Sequence, residues 1–245
     1  VSGDVDEFRT QPLAVADGLS NNVQTATVGN PNVYIDGGAG GSSNTVEFVE
    51  GTGGTNVDTA LNLNGQNNVS VQDLTFNVSA ASSVDVDTAI ETGAVTSQGS
   101  ITGNTFNDFD ASDTTAVVQA SSAVGDIEIG AAGSGNTFNG LGDSYDGIDV
   151  TNTAGDVTIE DNTLNGVGTA TFGIRVDDVG GNHRVNINGS DINGLDGGTG
   201  IDVDPSAASA TPFLEGNAID VQGASTGIDL DLSSNTDLVR INNTN

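Results

Sequence analysis

The sequence predicts an all-β solenoid, a chain wound into stacked rungs of parallel strand, and three observations carry the prediction. The first is a repeat: Asp146-Gly-Ile-Asp-Val150, Phe172-Gly-Ile-Arg-Val176, Thr199-Gly-Ile-Asp-Val203 and Thr226-Gly-Ile-Asp-Leu230 place isoleucine at 148, 174, 201 and 228, steps of 26, 27 and 27 residues. A fixed period of that size is the mark of a solenoid. The second is alternation, because Ile148 and Val150 and their counterparts flank one polar residue, the period-2 pattern of a strand with one buried face. The third is composition: 35 glycines with Asn, Asp and Thr throughout fit many tight turns. Only 35 % of the 245 residues are hydrophobic, but a solenoid needs just a narrow apolar stripe, since each rung buries its face on its neighbours. Apolar residues that recur in register argue against disorder, and the continuous repeat argues for one domain.

In chain order, residues 1–30 carry no repeat and read as an N-terminal cap or an arm, with a short apolar piece, Leu13-Ala-Val-Ala16, and a strand around Val23 to Val28. The parallel β-helix spans 31–245. Regular structure opens at Asn32-Val-Tyr-Ile-Asp-Gly-Gly38, continues through Val46-Glu-Phe-Val49, and reaches its first full rung at Ala60-Leu-Asn-Leu63. Anchors at 61, 90, 118, 148, 174, 201 and 228 then give steps of 29, 28, 30, 26, 27 and 27, so the early turns should bulge outward. About eight rungs at the interstrand spacing make a rod of about 38 Å. A second series runs through the turn that closes each unit: Gly103-Asn-Thr-Phe-Asn107, Gly135-Asn-Thr-Phe-Asn139, Asp161-Asn-Thr-Leu-Asn165, Gly189-Ser-Asp-Ile-Asn193 and Gly216-Asn-Ala-Ile-Asp220. Asparagine tolerates a left-handed backbone, and stacked asparagines can bond to one another along the axis. Phe106, Phe138, Leu164, Ile192 and Ile219 should point inward and stack.

Units of the form G-I-x-V followed by V-x-I-x-x-N-x-h-x-G resemble the rungs of the right-handed parallel β-helices of the pectin-lyase-like superfamily. Gly147-Ile-Asp-Val150 with Val157-Thr-Ile-Glu-Asp-Asn-Thr-Leu-Asn-Gly166 is the clearest copy, and Val33-Tyr-Ile-Asp-Gly-Gly38 is similar to the first rung of such proteins. The resemblance covers residues 33 to 245. It implies a right-handed, single-stranded parallel β-helix and leaves activity open, because that fold hosts lyases, hydrolases, epimerases, phage spikes and adhesins.

Charge narrows the partners. There are 34 acidic residues, and the only cations besides one histidine are Arg9, Arg175, Arg184 and Arg240, for a net charge of -30. Nucleic acid is excluded as a partner, because phosphate binding needs clustered Lys and Arg, and an anionic membrane surface is disfavoured for the same reason. Self-repulsion of this size fits a salt-loving source or a calcium-rich extracellular setting. Cysteine is absent, so no disulfide framework exists, and no apolar run approaches the roughly 18 residues of a membrane span. A first residue of Val rather than Met fits a mature form after signal removal or an excised domain. Four sequons, at Asn68, Asn77, Asn188 and Asn242, fit export and are candidate glycosylation sites.

Candidate chemistry is sparse. Asp177 and Asp178 with His183 and Arg184 are the candidate catalytic residues, because paired carboxylates can act as acid and base on a glycosidic bond, and the family's hydrolases carry aspartates, a histidine and a basic residue. All four crowd one turn, however, and the Gly-His-Gly and Arg-x-Lys elements of those hydrolases are missing. Family lyases use an Arg or Lys base beside calcium, and the rungs offer only three arginines; Ser144-Tyr-Asp-Gly-Ile-Asp149 imitates only the Tyr and Asp of an epimerase motif. Gly197-Gly-Thr-Gly-Ile-Asp202 starts like the glycine-rich calcium nonapeptide, but Asp204 stands where an aliphatic residue is required. Asp229, Asp231 and Ser233 start like an EF-hand loop that lacks its glycine and final glutamate.

The register yields a ladder instead. Asp149, Arg175, Asp202 and Asp229 are the outward residues of successive rungs, followed by Thr151, Asp177, Asp204 and Asp231. Arg175 should pair with the carboxylates on either side, while Asp202, Asp204, Asp229 and Asp231 form a square about 5 to 7 Å on a side. A hard cation such as calcium could take oxygen ligands there, and plain salt screening is the other reading. The sequence thus favours a non-enzymatic extracellular structural protein: a self-assembling appendage subunit, a surface-layer component or an adhesin with a glycan or cell-surface ligand. A polysaccharide lyase or glycoside hydrolase is the alternative. Leu238-Val-Arg-Ile241 forms a strand near Asn245, so the expected self-association is head-to-tail, with the N-terminal segment of one copy on the far rung of the next. Because no lysine offsets the carboxylates, the thermal midpoint should rise steeply from low to molar salt, or with millimolar calcium; a midpoint flat across a calorimetric salt series contradicts both the halophile and the cation readings.

Overall fold

The computed structural model describes residues 13–14, 26–27, 32–36, 44–48, 57–78, 86–109, 116–121, 125–142, 146–151, 153–166, 172–177, 184–195, 197–204, 213–217, 220–231 and 238–242. Among these there is no helix. The strands come three to a coil: β1 (Leu13–Ala14), β2 (Ala26–Thr27) and β3 (Asn32–Asp36), then β4 (Asn44–Phe48), β5 (Val57–Asn62) and β6 (Asn68–Gln72), then β7 (Leu74–Val78), β8 (Val86–Gly93) and β9 (Gln98–Thr102). Next are β10 (Thr105–Asn107), β11 (Ala116–Ser121) and β12 (Asp126–Ile129), followed by β13 (Thr137–Asn139), β14 (Asp146–Thr151) and β15 (Val157–Glu160). The remaining coils are β16 (Thr163–Asn165), β17 (Phe172–Asp177) and β18 (Arg184–Asn188), then β19 (Asp191–Asn193), β20 (Thr199–Asp204) and β21 (Phe213–Asn217), and finally β22 (Asp220–Val221), β23 (Thr226–Leu230) and β24 (Leu238–Asn242).

Every third strand pairs in parallel, so three sheets of 8 strands wrap one core. Sheet A runs from β1 to β22, sheet B from β2 to β23 and sheet C from β3 to β24. Eight coils match the eight rungs the repeat predicts. Within residues 1–30, the described strands extend the stack, since Leu13 registers with Val46 and Ala26 with Leu61. The Asn-rich series, read from sequence as a turn, belongs to a third sheet. Its strands β10, β13, β16 and β19 are only three residues long and carry one apolar residue each, too little alternation for a strand signal.

Inward residues repeat with little change from coil to coil. Sheet B stacks Ile90, Val118, Ile148, Ile174 and Ile201, and sheet A stacks Phe76, Phe106, Phe138, Leu164 and Ile192, all fully or almost fully buried. The first three of the latter form a pile of rings with centroids 5.2 and 4.8 Å apart, and Phe109 meets Phe106 edge-on at 6.2 Å. Each such ring pair adds about 0.5–1.5 kcal/mol beyond the area it buries. Ile219 lies outside the described residues.

The corner from sheet C into sheet A turns on one left-handed residue, Asp73, Gly103, Asp161 and Gly189 in four of the coils, types that adopt this conformation at low cost. Behind it stands a buried asparagine. The Nδ2 groups of Asn104, Asn136 and Asn162 donate to the carbonyls of Val71, Ile101 and Ile129, at 3.0, 2.8 and 2.8 Å. Their Oδ1 atoms accept the backbone N–H of Leu74, Asn104 and Asn136, each at 3.0 Å. The side-chain amides thereby satisfy backbone groups that the bend removes from the strand ladders. Ser190 takes the next place and is buried too, but its hydroxyl is too short for this amide bridging and donates to its neighbour Asn188. A second ladder lies outside, where Asn139, Asn165 and Asn193 donate Nδ2 to Oδ1 of Asn107, Asn139 and Asn165 at 3.0, 3.1 and 3.2 Å.

The glycine of Gly-Ile-x-Val has its own cause. A Cβ on Gly147, Gly173 or Gly200 would stand 2.7, 2.7 and 2.6 Å from the carbonyl oxygen of the corresponding glycine one coil on, and would also press on a sheet A side chain, Leu164, Ile192 or Val221. Sheets A and B close on one another there with room for hydrogen only. The two asparagine ladders should separate in a denaturation experiment. Asn136→Ala strands several buried backbone and amide groups and should cost about 3 kcal/mol or more, while Asn139→Ala in the half-buried outer ladder should cost about 1 kcal/mol or less; equal losses would show that the inner ladder has no special part.

Candidate functional site

Sheet B turns its Ile and Val side chains to the core, so the residue between them faces out. Gln119, Asp149, Arg175, Asp202 and Asp229 stand in one register column of successive strands, and Ser121, Thr151, Asp177 and Asp204 form the next. The N–H of Asp231 donates to the carbonyl of Val203 at 3.1 Å, which holds Asp231 beside Asp204. This is the ladder expected from the repeat.

Arg175 departs from that expectation. Its Nη2 lies 3.0 Å from Oδ2 of Asp177 and its Nε 4.0 Å from Oδ2 of Asp202, and the guanidinium sits over the Phe172 ring, 5.4 Å from its centroid. It leans toward the later coils, where carboxylates are densest, and away from Asp149. Oδ1 of Asp149 is buried without a hydrogen-bond partner, as is Nε of Arg175. Asp149 is 8 % exposed, and its carboxyl is pushed up by burial against the pull of Arg175 and a hydrogen bond from Gln119. Asp146 opens the same strand, and its Oδ1 accepts the Phe172 N–H at 3.0 Å. Burial pushes it up to about 6 in spite of that bond. Asp202 is raised as well, first by burial and then by Asp229.

The chemistry available is that of crowded carboxyls. Asp146, raised to about 6, keeps part of its protons just below neutrality, and the charge of Asp149 adds to that shift. The sequence reading missed Asp146. Its signal was there to find, since an acid stands where the other clear repeats carry Phe172, Thr199 and Thr226.

Of the sequence candidates, Asp177 is held by Arg175 within this face. Arg184 opens β18 on sheet C, where its N–H donates to Oδ1 of Asp156 at 2.9 Å, so the two belong to different sheets. Asp178 and His183 lie outside the described residues. The strands bring Asp202, Asp204, Asp229 and Asp231 together in register. Even so, among the described residues no group of three or more His, Cys, Asp or Glu side chains is placed to hold a metal ion. Of the sequons, Asn68 is exposed at the start of β6, Asn77 and Asn188 are half-buried within strands, and Asn242 lies in β24 with its side chain outside the description. Among the described residues no helix is long and apolar enough to cross a membrane.

No family model, no curated protein and no solved structure matches this chain.

The raised carboxyls fix a direction for pH dependence. The folded state binds their protons more tightly than the unfolded chain, so the stability they lend is complete below an ordinary Asp value of 3.8 and is lost as pH rises, for Asp146 through about 6. For Asp146 that is at most about 3 kcal/mol. Asp146→Asn keeps an acceptor for the Phe172 N–H and should raise the melting temperature at pH 7 while flattening its fall between pH 4 and 6; an unchanged pH slope would clear Asp146 of that role.

Proposed function

We propose that the chain is a non-enzymatic extracellular structural protein, a rigid acidic rod that joins end to end with copies of itself into an appendage or surface layer, or carries an adhesive face. The observation behind this reading is the stack itself: three sheets of 8 strands continue in register from coil to coil around one core, a form that suits an extended acidic rod.

Secretion is supported by the charge of -30 and by the sequons. Cations, calcium among them, would act on this face chiefly by screening. Kinship with the pectin-lyase-like β-helices rests on the rung sequences. A polysaccharide lyase or glycoside hydrolase is the second reading, favoured by the rung resemblance and by the raised carboxyl of Asp146.

One preparation tests both. In molar salt the protein should form particles whose lengths in negative stain are multiples of the rod of about 38 Å, and it should release no unsaturated or reducing ends from acidic polysaccharides. Strict monomers at every concentration would end the assembly reading, and released product would move the protein to the enzymes.

A further inference from the structure

The outward face of sheet A is uncharged over most of its length. One column along it is Thr45, Thr75, Thr105, Thr137 and Thr163, and the next is Asn77, Asn107, Asn139, Asn165 and Asn193, all half-buried. From β7 to β16 these columns hold no acid, although the chain carries 34. Glu47 stands before that stretch, and Asp191 and Asp220 after it. Sheet B, by contrast, faces out with Asp149, Asp177, Asp202 and Asp229, and sheet C with Glu128 and Glu160. We infer that two copies pack side by side and in parallel through sheet A, the threonine column of each over the asparagine column of the other. The contact goes beyond the end-to-end reading and does not depend on it.

A partner for this face must match a rigid pattern that recurs at every strand spacing of about 4.8 Å over several coils. A second copy has that repeat by construction, and ladders of identical polar side chains, asparagine among them, are surfaces on which one sheet closes dry against another. Charge points the same way. Two chains of net charge -30 repel, so they close only where neither presents acids. Within the ladder Asn139 and Asn165 each donate one N–H and accept one bond, which leaves each amide a second N–H and a lone pair for the hydroxyl opposite.

The corners set the orientation. Asp73, Gly103 and Asp161 stand two residues before Thr75, Thr105 and Thr163, while Asp108 and Gly166 directly follow Asn107 and Asn165. A two-fold axis along the rod brings the first corner of each copy against the second corner of the other at the same coil, so Asp108 meets Gly103 and Asp161 meets Gly166. Antiparallel rods centred on the same stretch would set Asp73 against Asp161. From β4 to β19 the face measures about 24 Å by about 10 Å. That is far below the roughly 800 Å² per partner of a standard interface, so the pair is weak and forms at high protein concentration in salt that screens the repulsion.

Sedimentation equilibrium in molar salt tests the contact with two variants of equal charge change. Thr137→Arg sets a bulky cation in the middle of the face and should weaken association roughly tenfold or more, although it lowers the net repulsion. Thr158→Arg, on the outward side of sheet C, should leave association at least as strong as in the wild type. Wild-type association in Thr137→Arg, or an equal loss in Thr158→Arg, overturns the contact. Asp73→Asn should change nothing, and a gain in association there overturns the parallel arrangement. Particles in negative stain that grow in length with concentration and never in width favour the end-to-end reading and overturn this one. If Thr137→Arg lowers the melting temperature, the wild type decides alone. Its concentration-dependent NMR shifts should fall on the Thr methyl and Asn side-chain amide signals of Thr105, Thr137, Asn107 and Asn139; shifts confined to sheets B and C, or none at all, overturn the contact.

Discussion

Parallel stacking in register is the constraint on which this structure depends. Because every coil lies about 4.8 Å above its neighbour with no offset, each side chain has its counterpart directly above and below it, and the same chemistry is multiplied along the axis. For apolar residues the result is favourable, as the Phe76, Phe106 and Phe138 pile shows. For asparagine it is better still. An amide carries both donor and acceptor, so a column such as Asn107, Asn139, Asn165 and Asn193 bonds to itself without any partner of another type.

For aspartate the same rule is costly. Like charges stacked in one column repel, and sheet B meets this in two ways. Arg175 interrupts the run of carboxylates and holds two of them. Burial outweighs its pull, however, and shifts the carboxyls of Asp146, Asp149 and Asp202 toward the protonated form. Neutral amides, Asn104, Asn136 and Asn162, fill the buried column where a carboxylate would be costlier still.

Much of this was legible in the sequence because a repeat with a fixed period carries register as well as strand. The steps between Ile148, Ile174, Ile201 and Ile228 sufficed to place Asp149, Arg175, Asp202 and Asp229 in one column, and the structure has them there. What stayed hidden depends on the third dimension of the coil. The short sheet A strands β10, β13, β16 and β19 were read as turns because three residues with a single apolar side chain have no periodicity to detect. Asp146 was passed over because its perturbation comes from burial, which sequence position does not reveal. The direction in which Arg175 leans follows from the density of carboxylates on either side of it, a balance that the column order alone leaves open.

A solenoid also has an unusual relation between folding and assembly. In a globular domain the forces that close the core leave no copy of themselves at the surface, so an interface must be built separately. Here the contact between coils is the contact that makes the fold, so the chemistry of each column, an amide on an amide or a guanidinium beside carboxylates, selects each coil's neighbour as the core closes.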